Sequence, residues 1–137
     1  MNEEKTVKGW IFLAEGDLKT AEDELSTTEP FTNTICFHSQ QCVEKYLKAY
    51  LSFVGKPFRK THDISELIEL CKEVDEEFEI LYSLNAAKLT RYAVDIRYPD
   101  EFYIPSIEEA KEALEIAKKV RNFIIRKLKE IGFDYKT

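Results

Sequence analysis

Apolar residues recur every three or four positions along most of the chain, which is the spacing that places side chains on one face of an α-helix. From about residue 3 to residue 26 these positions form one stripe, which consists of Val7, Ile11, Ala14, Leu18, Ala21 and Leu25. The sequence from Ser26 to Pro30 interrupts the pattern, because proline biases the residue before it out of the helical conformation. We therefore predict a first amphipathic helix that ends near Ser26.

The second segment, from about Asn33 to Val54, is apolar on two sides, and Gly55 and Pro57 end it. One stripe comprises Ile35, Cys42, Tyr46, Ala49 and Phe53, and the other comprises Cys36, Val43, Leu47, Tyr50 and Val54. Such a helix is expected to be buried on both sides, either at the centre of the bundle or against a second subunit. Because a small bundle is expected to cover only one stripe well, we predict a two-fold homodimer.

Two polar patterns mark the starts of later helices. Asp63 with Glu66, and Ser106 with Glu109, fit the capping box, in which the side chains of two residues three positions apart bond to each other's backbone N–H. The first pattern precedes an apolar stripe through Ile64, Leu67, Ile68 and Cys71. The second precedes a long stripe that continues to about Ile131, where Gly132 closes the helix.

Between these helices the apolar pattern is weaker. A looser helical region covers residues 74–84, and a further helical stretch covers Ala86 to Ile96, which Pro99 stops. Long helices joined by short loops predict an all-α fold, namely an antiparallel up-and-down bundle of about four to five helices that dimerises. We expect one domain over residues 1–137.

The composition restricts the classes of function. The net charge of −6 argues against a broadly basic protein that coats nucleic acid, but it is compatible with a local basic cleft. The chain shows neither a signal-peptide pattern nor a long apolar run, which predicts a soluble, cytoplasmic protein without membrane contact. The three cysteines, Cys36, Cys42 and Cys71, form no CxxC pair, so we expect reduced packing residues and no zinc site.

Several motifs of well-known enzymes are absent from the sequence. There is no GxxxxGK[ST] loop, no HExxH, no repeated Glu-x-x-His and no GxSxG. These absences argue against P-loop enzymes, helix-borne metal sites and serine hydrolases of those kinds. We therefore predict neither a cofactor nor a metal.

Two polar features of the first half of the chain attract attention. The second helix carries Gln40-Gln41-x-x-Glu44-Lys45-x-x-Lys48, where Glu44 and Lys48 can pair along one face. This is either a charge ladder on the helix surface or part of a binding site that includes Lys48. His62 is either a proton-transfer or phosphate-contacting group, or a loop histidine whose ring bonds the backbone near the helix start.

The third feature is the segment from Arg91 to Asp100, in which Arg91, Arg97 and Tyr98 stand near a proline stop. Arginine offers a planar fork that fits phosphate oxygens, and tyrosine can stack on a base. We interpret Arg91, Arg97, Tyr98 and Asp100 as ligand-binding candidates. The alternative is that Arg97 pairs with Asp95 or Asp100 and only locks the turn.

Together these segments resemble the HEPN family, small helical proteins often encoded beside minimal nucleotidyltransferases. The residues that carry the resemblance are spread over nearly the whole chain: Trp10, Ala14, Asp17, Leu18 and Ala21; Gln40, Gln41, Glu44, Lys45, Leu47, Lys48 and Ala49; Thr61, His62, Asp63 and Leu67; Arg97, Tyr98, Pro99 and Asp100; and Glu109 and Ala110. The resemblance implies a dimeric helical bundle with a polar cleft between the subunits.

The resemblance also implies a function. It suggests a nucleotide- or RNA-binding module that is the partner of a minimal nucleotidyltransferase in a toxin–antitoxin-type pair. Many HEPN proteins are metal-independent ribonucleases in which four to six residues separate an arginine from a histidine that follows it. Counting from Arg91, this chain has Ile96, Arg97 and Tyr98 at those positions, so the histidine is missing. A ribonuclease toxin with an altered site, in which His62 would be the catalytic candidate, is therefore the alternative.

Overall fold

Six α-helices and two short 3-10 helices make up the part of the chain that the computed structural model describes, residues 3–94 and 103–134. The α-helices are α1 (Glu3–Leu25), α2 (Thr32–Val54), α3 (Ile64–Val74), α4 (Ile80–Ser83), α5 (Arg91–Val94) and α6 (Ile107–Glu130), and the 3-10 helices cover Glu76–Glu79 and Ala86–Thr90. No strand occurs in these two ranges, which confirms the all-α class. The helix count exceeds the predicted four to five because the weakly patterned middle region is divided into several short helices.

Helix α1 packs antiparallel to α6, as two pairs of charged side chains show. The Nε of Arg121 lies 2.6 Å from a carboxylate oxygen of Glu15, and the Nζ of Lys118 lies 3.5 Å from one of Glu22. The later residue of α1 thus contacts the earlier residue of α6, so the two helices run in opposite directions. This pair of helices has the antiparallel arrangement that the sequence predicted.

Helices α2 and α6, in contrast, run in the same direction. The start of α2 meets the residues just before α6, where the hydroxyl of Thr32 donates to the carbonyl of Pro105 at 2.7 Å. The end of α2 meets the residues just after α6, where the rings of Phe53 and Phe133 lie with centroids 5.5 Å apart. The predicted up-and-down order is therefore only partly present. The segment between α2 and α6 returns the chain to the end of the bundle where α2 begins, and α6 starts from there.

Helix α2 lies at the centre of the bundle, where α1, α3, α5 and α6 all contact it. Eight residues of its two apolar stripes are fully or almost fully buried within the single chain: Ile35, Cys42, Tyr46 and Ala49, and Cys36, Val43, Leu47 and Tyr50. The premise that one chain covers only one stripe was wrong. Burial of α2 therefore gives no reason for a homodimer.

One of the two predicted capping boxes forms completely and the other forms only in part. Both hydrogen bonds of the Ser106–Glu109 capping box are present at 3.0 Å, as predicted. At α3 only half of the predicted box forms: the Asp63 carboxylate accepts from the backbone N–H of Glu66 at 3.4 Å, whereas the Glu66 carboxylate binds Arg59. Gly55 ends α2 with a φ of 73°, a left-handed conformation that glycine adopts without steric cost.

The three cysteines are free and buried, as predicted. Burial raises the pKa of the Cys36 thiol to about 12, and it also raises the pKa of Cys42 and Cys71. These thiols therefore carry no thiolate at neutral pH. Among the described residues, no helix is long and apolar enough to span a lipid bilayer.

Candidate functional site

The carboxylate of Glu44 is the centre of a buried polar cluster on α2. Glu44 is only 3% exposed, and its Oε2 accepts from the Nζ of Lys48 at 2.8 Å. Its Oε1 accepts from the Nδ1 of His62 at 2.9 Å and from the amide of Gln40 at 3.0 Å. The interpretation of Glu44 and Lys48 as part of a charge ladder on the helix surface was wrong, because both residues are buried.

Two opposing effects act on the ionisation of Glu44. Burial alone would raise its pKa, since a low-dielectric surrounding disfavours the charged form. The hydrogen bonds from Lys48, His62 and Gln40 together outweigh burial and lower the pKa below the usual value of a glutamate. Glu44 is therefore ionised at neutral pH and requires these partners.

Lys48 is enclosed by aromatic rings as well as by its counter-ion. It is 7% exposed, and its Nζ lies 5.5 Å from the ring centroid of Trp10 and 5.9 Å from that of Phe58. Cation–π contacts of this kind stabilise a partly desolvated ammonium. The position makes Lys48 a buried counter-ion for Glu44 and does not support a direct contact between Lys48 and a ligand.

His62 reaches this cluster from the connector between α2 and α3. Among the described residues its ring bonds Glu44 and not the backbone near the helix start, so the interpretation of His62 as a loop histidine bonded to that backbone was wrong. A carboxylate only accepts hydrogen bonds, so the Nδ1 of His62 is the donor and the Nε2 is the nitrogen left for other contacts. The side chain of His62 is 54% exposed. It is a fixed imidazole with one open edge.

Arg91 lies on an aromatic support at the start of α5. Its guanidinium carbon is 4.8 Å from the ring centroid of Tyr103 and 5.7 Å from that of Tyr92. Both tyrosine hydroxyls donate to the carboxylate of Glu109, the hydroxyl of Tyr92 at 3.1 Å. The hydrogen bonds from Tyr103, the backbone of Ser106 and Tyr92 lower the pKa of Glu109.

Reasoning from the sequence missed the role of Tyr103 and one of the two roles of Glu109. Glu109 was identified only as a capping residue, and it also positions the two tyrosines that support Arg91. No local signal reveals this second role, because Glu109 and Tyr92 are 17 residues apart in the chain. The side chain of Arg91 is exposed, and among the described residues no ion pair involves it.

A hydrogen bond joins the segments that carry His62 and Arg91. The backbone N–H of Ile64 donates to the hydroxyl of Thr90 at 3.0 Å. His62 precedes this link by two residues and Arg91 follows it directly. The structure thus brings two of the predicted site residues to the same region. Arg97, Tyr98 and Asp100 lie outside the described residues.

The other histidine belongs to a separate network between α1 and α2. The carboxylate of Asp17 lies 2.8 Å from the Nδ1 of His38 and 2.7 Å from the Nζ of Lys45. Asp17 is 8% exposed, so this network joins the two helices in a largely buried position. Within the two described ranges no group of three or more histidine, cysteine, aspartate or glutamate side chains could hold a metal ion.

Comparisons with known proteins place these features in a wider context. The family model described as "HEPN domain" matches residues 7–128. A protein of Methanocaldococcus jannaschii named "Putative toxin MJ1304" is 35% identical, and the match covers 92% of this chain and 90% of that protein. The crystal structure of ST0689, an archaeal HEPN homologue, superposes on this chain with a TM-score of 0.69 at 28% sequence identity. The match covers 89% of this chain and 97% of the ST0689 chain.

Proposed function

This chain belongs to the HEPN domain family, and from that premise we propose that it is a nucleotide- or RNA-binding module. The observation that carries the proposal is the link between Ile64 and Thr90, which brings exposed Arg91 and half-exposed His62 to one region. A protein with a net charge of −6 must concentrate its positive potential locally to bind a phosphate ligand.

The chemistry of Arg91 suits a phosphate or a base. The Tyr103 ring supports one face of its guanidinium, which limits the conformations that the side chain must give up on binding. The N–H groups at the edge of the guanidinium would bind a phosphate oxygen. Arg97, Tyr98 and Asp100 follow in the sequence, and we propose that they complete the binding site.

The proposal extends to partners. A relative over nearly the whole chain is named a putative toxin, which favours a place for this chain in a toxin–antitoxin-type pair. We propose that it works as a homodimer whose protein partner is a minimal nucleotidyltransferase, since this is what the HEPN resemblance implies.

A second candidate function, a metal-independent ribonuclease, is favoured by the contact between His62 and Glu44. In this arrangement the Nε2 of His62 would remove the proton of a ribose 2′-hydroxyl. The 2′-oxygen would attack phosphorus, and the 5′-oxygen would leave with a proton from water. His62 would then replace the histidine that is missing after Arg91. We rank this candidate second because His62 stands outside the usual motif.

The test combines two assays on one preparation at fixed salt. Affinity for adenine nucleotides and for a single-stranded RNA is measured by titration calorimetry, and cleavage of the same RNA is followed with a metal chelator present. Arg91→Ala and Arg97→Ala are each expected to weaken binding by about 1–3 kcal/mol. Arg126→Ala is the matched control, because it removes the same charge from the other end of the bundle, where Arg126 pairs with Glu130.

The outcomes separate the candidates. Binding without cleavage, weakened by the Arg91 substitution and not by Arg126→Ala, supports the binding module. Cleavage that His62→Ala abolishes supports the ribonuclease. Lower thermal stability of the Arg91 and Arg97 variants with unchanged affinity would show that these arginines only stabilise the fold and would overturn the site assignment.

A further inference from the structure

Two large apolar side chains are exposed at the end of the bundle where α2 and α6 begin. Phe31 is 69% exposed just before α2, and Ile104 is 64% exposed just before α6. The hydrogen bond from the Thr32 hydroxyl to the Pro105 carbonyl, at 2.7 Å, joins the residues that directly follow them. Exposed apolar side chains that are brought together in this way are typical of a surface that binds another molecule.

This Phe31–Ile104 patch adjoins the aromatic support of Arg91. Ile104 directly follows Tyr103, whose ring centroid lies 4.8 Å from the guanidinium carbon of Arg91. The ring of Tyr103 is itself held in place, because its hydroxyl donates to the carboxylate of Glu109. A molecule that binds at this end of the bundle therefore meets an exposed cation and an apolar surface side by side.

The backbone that carries the Phe31 ring is fixed on both sides. Its N–H donates to the carboxylate of Glu24 at 2.8 Å. Its carbonyl accepts from the backbone N–H of Thr34 at 3.1 Å and from that of Ile35 at 3.2 Å, in the first turn of α2. A ring on a fixed backbone has less conformational freedom to lose when a ligand packs against it.

The charges around the patch determine which part of a ligand it accepts. The neighbours of Phe31 include the acidic residues Glu24 and Glu29, which disfavour a phosphate on this side. Arg91 favours a phosphate on the other side. A ligand that combines a flat uncharged face with a phosphate is thus oriented with its face on the patch and its phosphate at Arg91. A nucleotide has this combination.

We propose that Phe31 and Ile104 form a subsite for a nucleobase of the ligand whose phosphate Arg91 binds. The base stacks on the exposed ring of Phe31, and Ile104 extends the apolar surface beneath it. Stacking of this kind tolerates different bases, since every base has a π-face. The subsite rests on the ligand binding in the proposed function, and it requires neither cleavage of RNA nor the nucleotidyltransferase partner.

The test compares ligands with and without a base. Titration calorimetry at fixed salt measures the affinity for AMP and for ribose 5-phosphate, and for a short single-stranded oligoadenylate and an abasic strand of the same length. We expect Phe31→Ala to weaken binding of the base-containing ligand about tenfold or more and to leave binding of its base-free match unchanged. Ile104→Ala should act in the same direction with a smaller effect.

Two further variants serve as controls. Phe31→Trp keeps an aromatic ring at the same position and should bind as tightly as the wild type. Ile131→Ala removes an apolar side chain that is 43% exposed after the end of α6, and it should change no affinity. A loss with AMP would show that one nucleotide spans the subsite and Arg91. A loss with the strand alone would show that neighbouring nucleotides of an RNA occupy them.

The outcomes distinguish this subsite from the proposed function. A wild-type protein that binds none of these ligands would overturn the proposed function and the subsite with it. Binding that Phe31→Ala leaves unchanged would overturn the subsite and leave the assignment of Arg91 intact. The mass of each variant is measured by sedimentation equilibrium at the same concentration. A lower mass for Phe31→Ala than for the wild type would assign the patch to a contact between copies of the chain and would also overturn the subsite.

Discussion

The Nδ1 of His62 lies 2.9 Å from the Oε1 of Glu44, although 18 residues separate the two in the chain. The contact fixes the imidazole at its Nδ1 edge and leaves its Nε2 edge open. It also supplies one of the three hydrogen bonds that hold a buried carboxylate in its ionised form. His62 thus belongs to the buried cluster through one ring edge and to the surface through the other.

The first prediction concerns the buried ion pair. Glu44→Ala should lower the free energy of unfolding by about 3–5 kcal/mol, because it leaves the Lys48 ammonium buried without its counter-ion. Glu112→Ala is the control, since its pair with Lys88 is about half exposed and should contribute at most about 1 kcal/mol. Urea unfolding of both variants measures the difference. Similar values for the two would mean that the cluster is solvated in solution.

The second prediction concerns acid stability. The pKa values of Glu44 and Glu109 are lowered in the folded state, so both glutamates add stability above the unfolded-state pKa of about 4.3. This contribution should disappear as the pH falls from there through the lower folded-state values. Glu109→Gln should reduce the slope of unfolding free energy against pH in this range. An unchanged slope in Glu109→Gln would contradict the assignment.

The third prediction concerns the central helix. Leu47 is fully buried, so Leu47→Ala should create a cavity and cost about 2–5 kcal/mol of stability. Ile131→Ala, at a position that is 43% exposed, should cost less than about 1 kcal/mol. Chemical denaturation provides the comparison. A cost below about 1 kcal/mol for Leu47→Ala would mean that the buried face of α2 has been misplaced.

The fourth prediction concerns the aromatic support of Arg91. Tyr103→Leu removes the ring under the guanidinium and should weaken nucleotide or RNA binding by about 0.5–1 kcal/mol. Tyr103→Phe keeps the ring and loses only the hydroxyl that bonds Glu109, so its affinity should be closer to that of the wild type. Calorimetric titration of the three proteins at one salt concentration tests this order. Equal losses in both variants would assign the effect to the hydroxyl.

The fifth prediction concerns the thiols. Cys36, Cys42 and Cys71 are buried and their pKa values are raised, so a disulfide reagent such as dithionitrobenzoate should not label the native protein at neutral pH. All three should react at once in denaturant. Labelling of one cysteine under native conditions, at a rate independent of unfolding, would show local opening around that residue.

The sequence by itself determined the local features of this protein. It gave the bounds of α1, α2 and α6 to within one or two residues, and both hydrogen bonds of the Ser106–Glu109 cap. These features depend on neighbours three or four positions away, which the order of residues specifies directly. It also carried the family resemblance, because the matching residues are spread over most of the chain.

Only the tertiary structure decided which polar residues are buried and which segments meet. The spacing of Glu44 and Lys48 is the same in an exposed ladder and in a buried pair, and only packing against Trp10 and Phe58 distinguishes the two. The contact between His62 and Glu44 depends on the path of the chain between α2 and α3. Such contacts join distant residues, so no local pattern contains them, and they form only when the whole core is assembled.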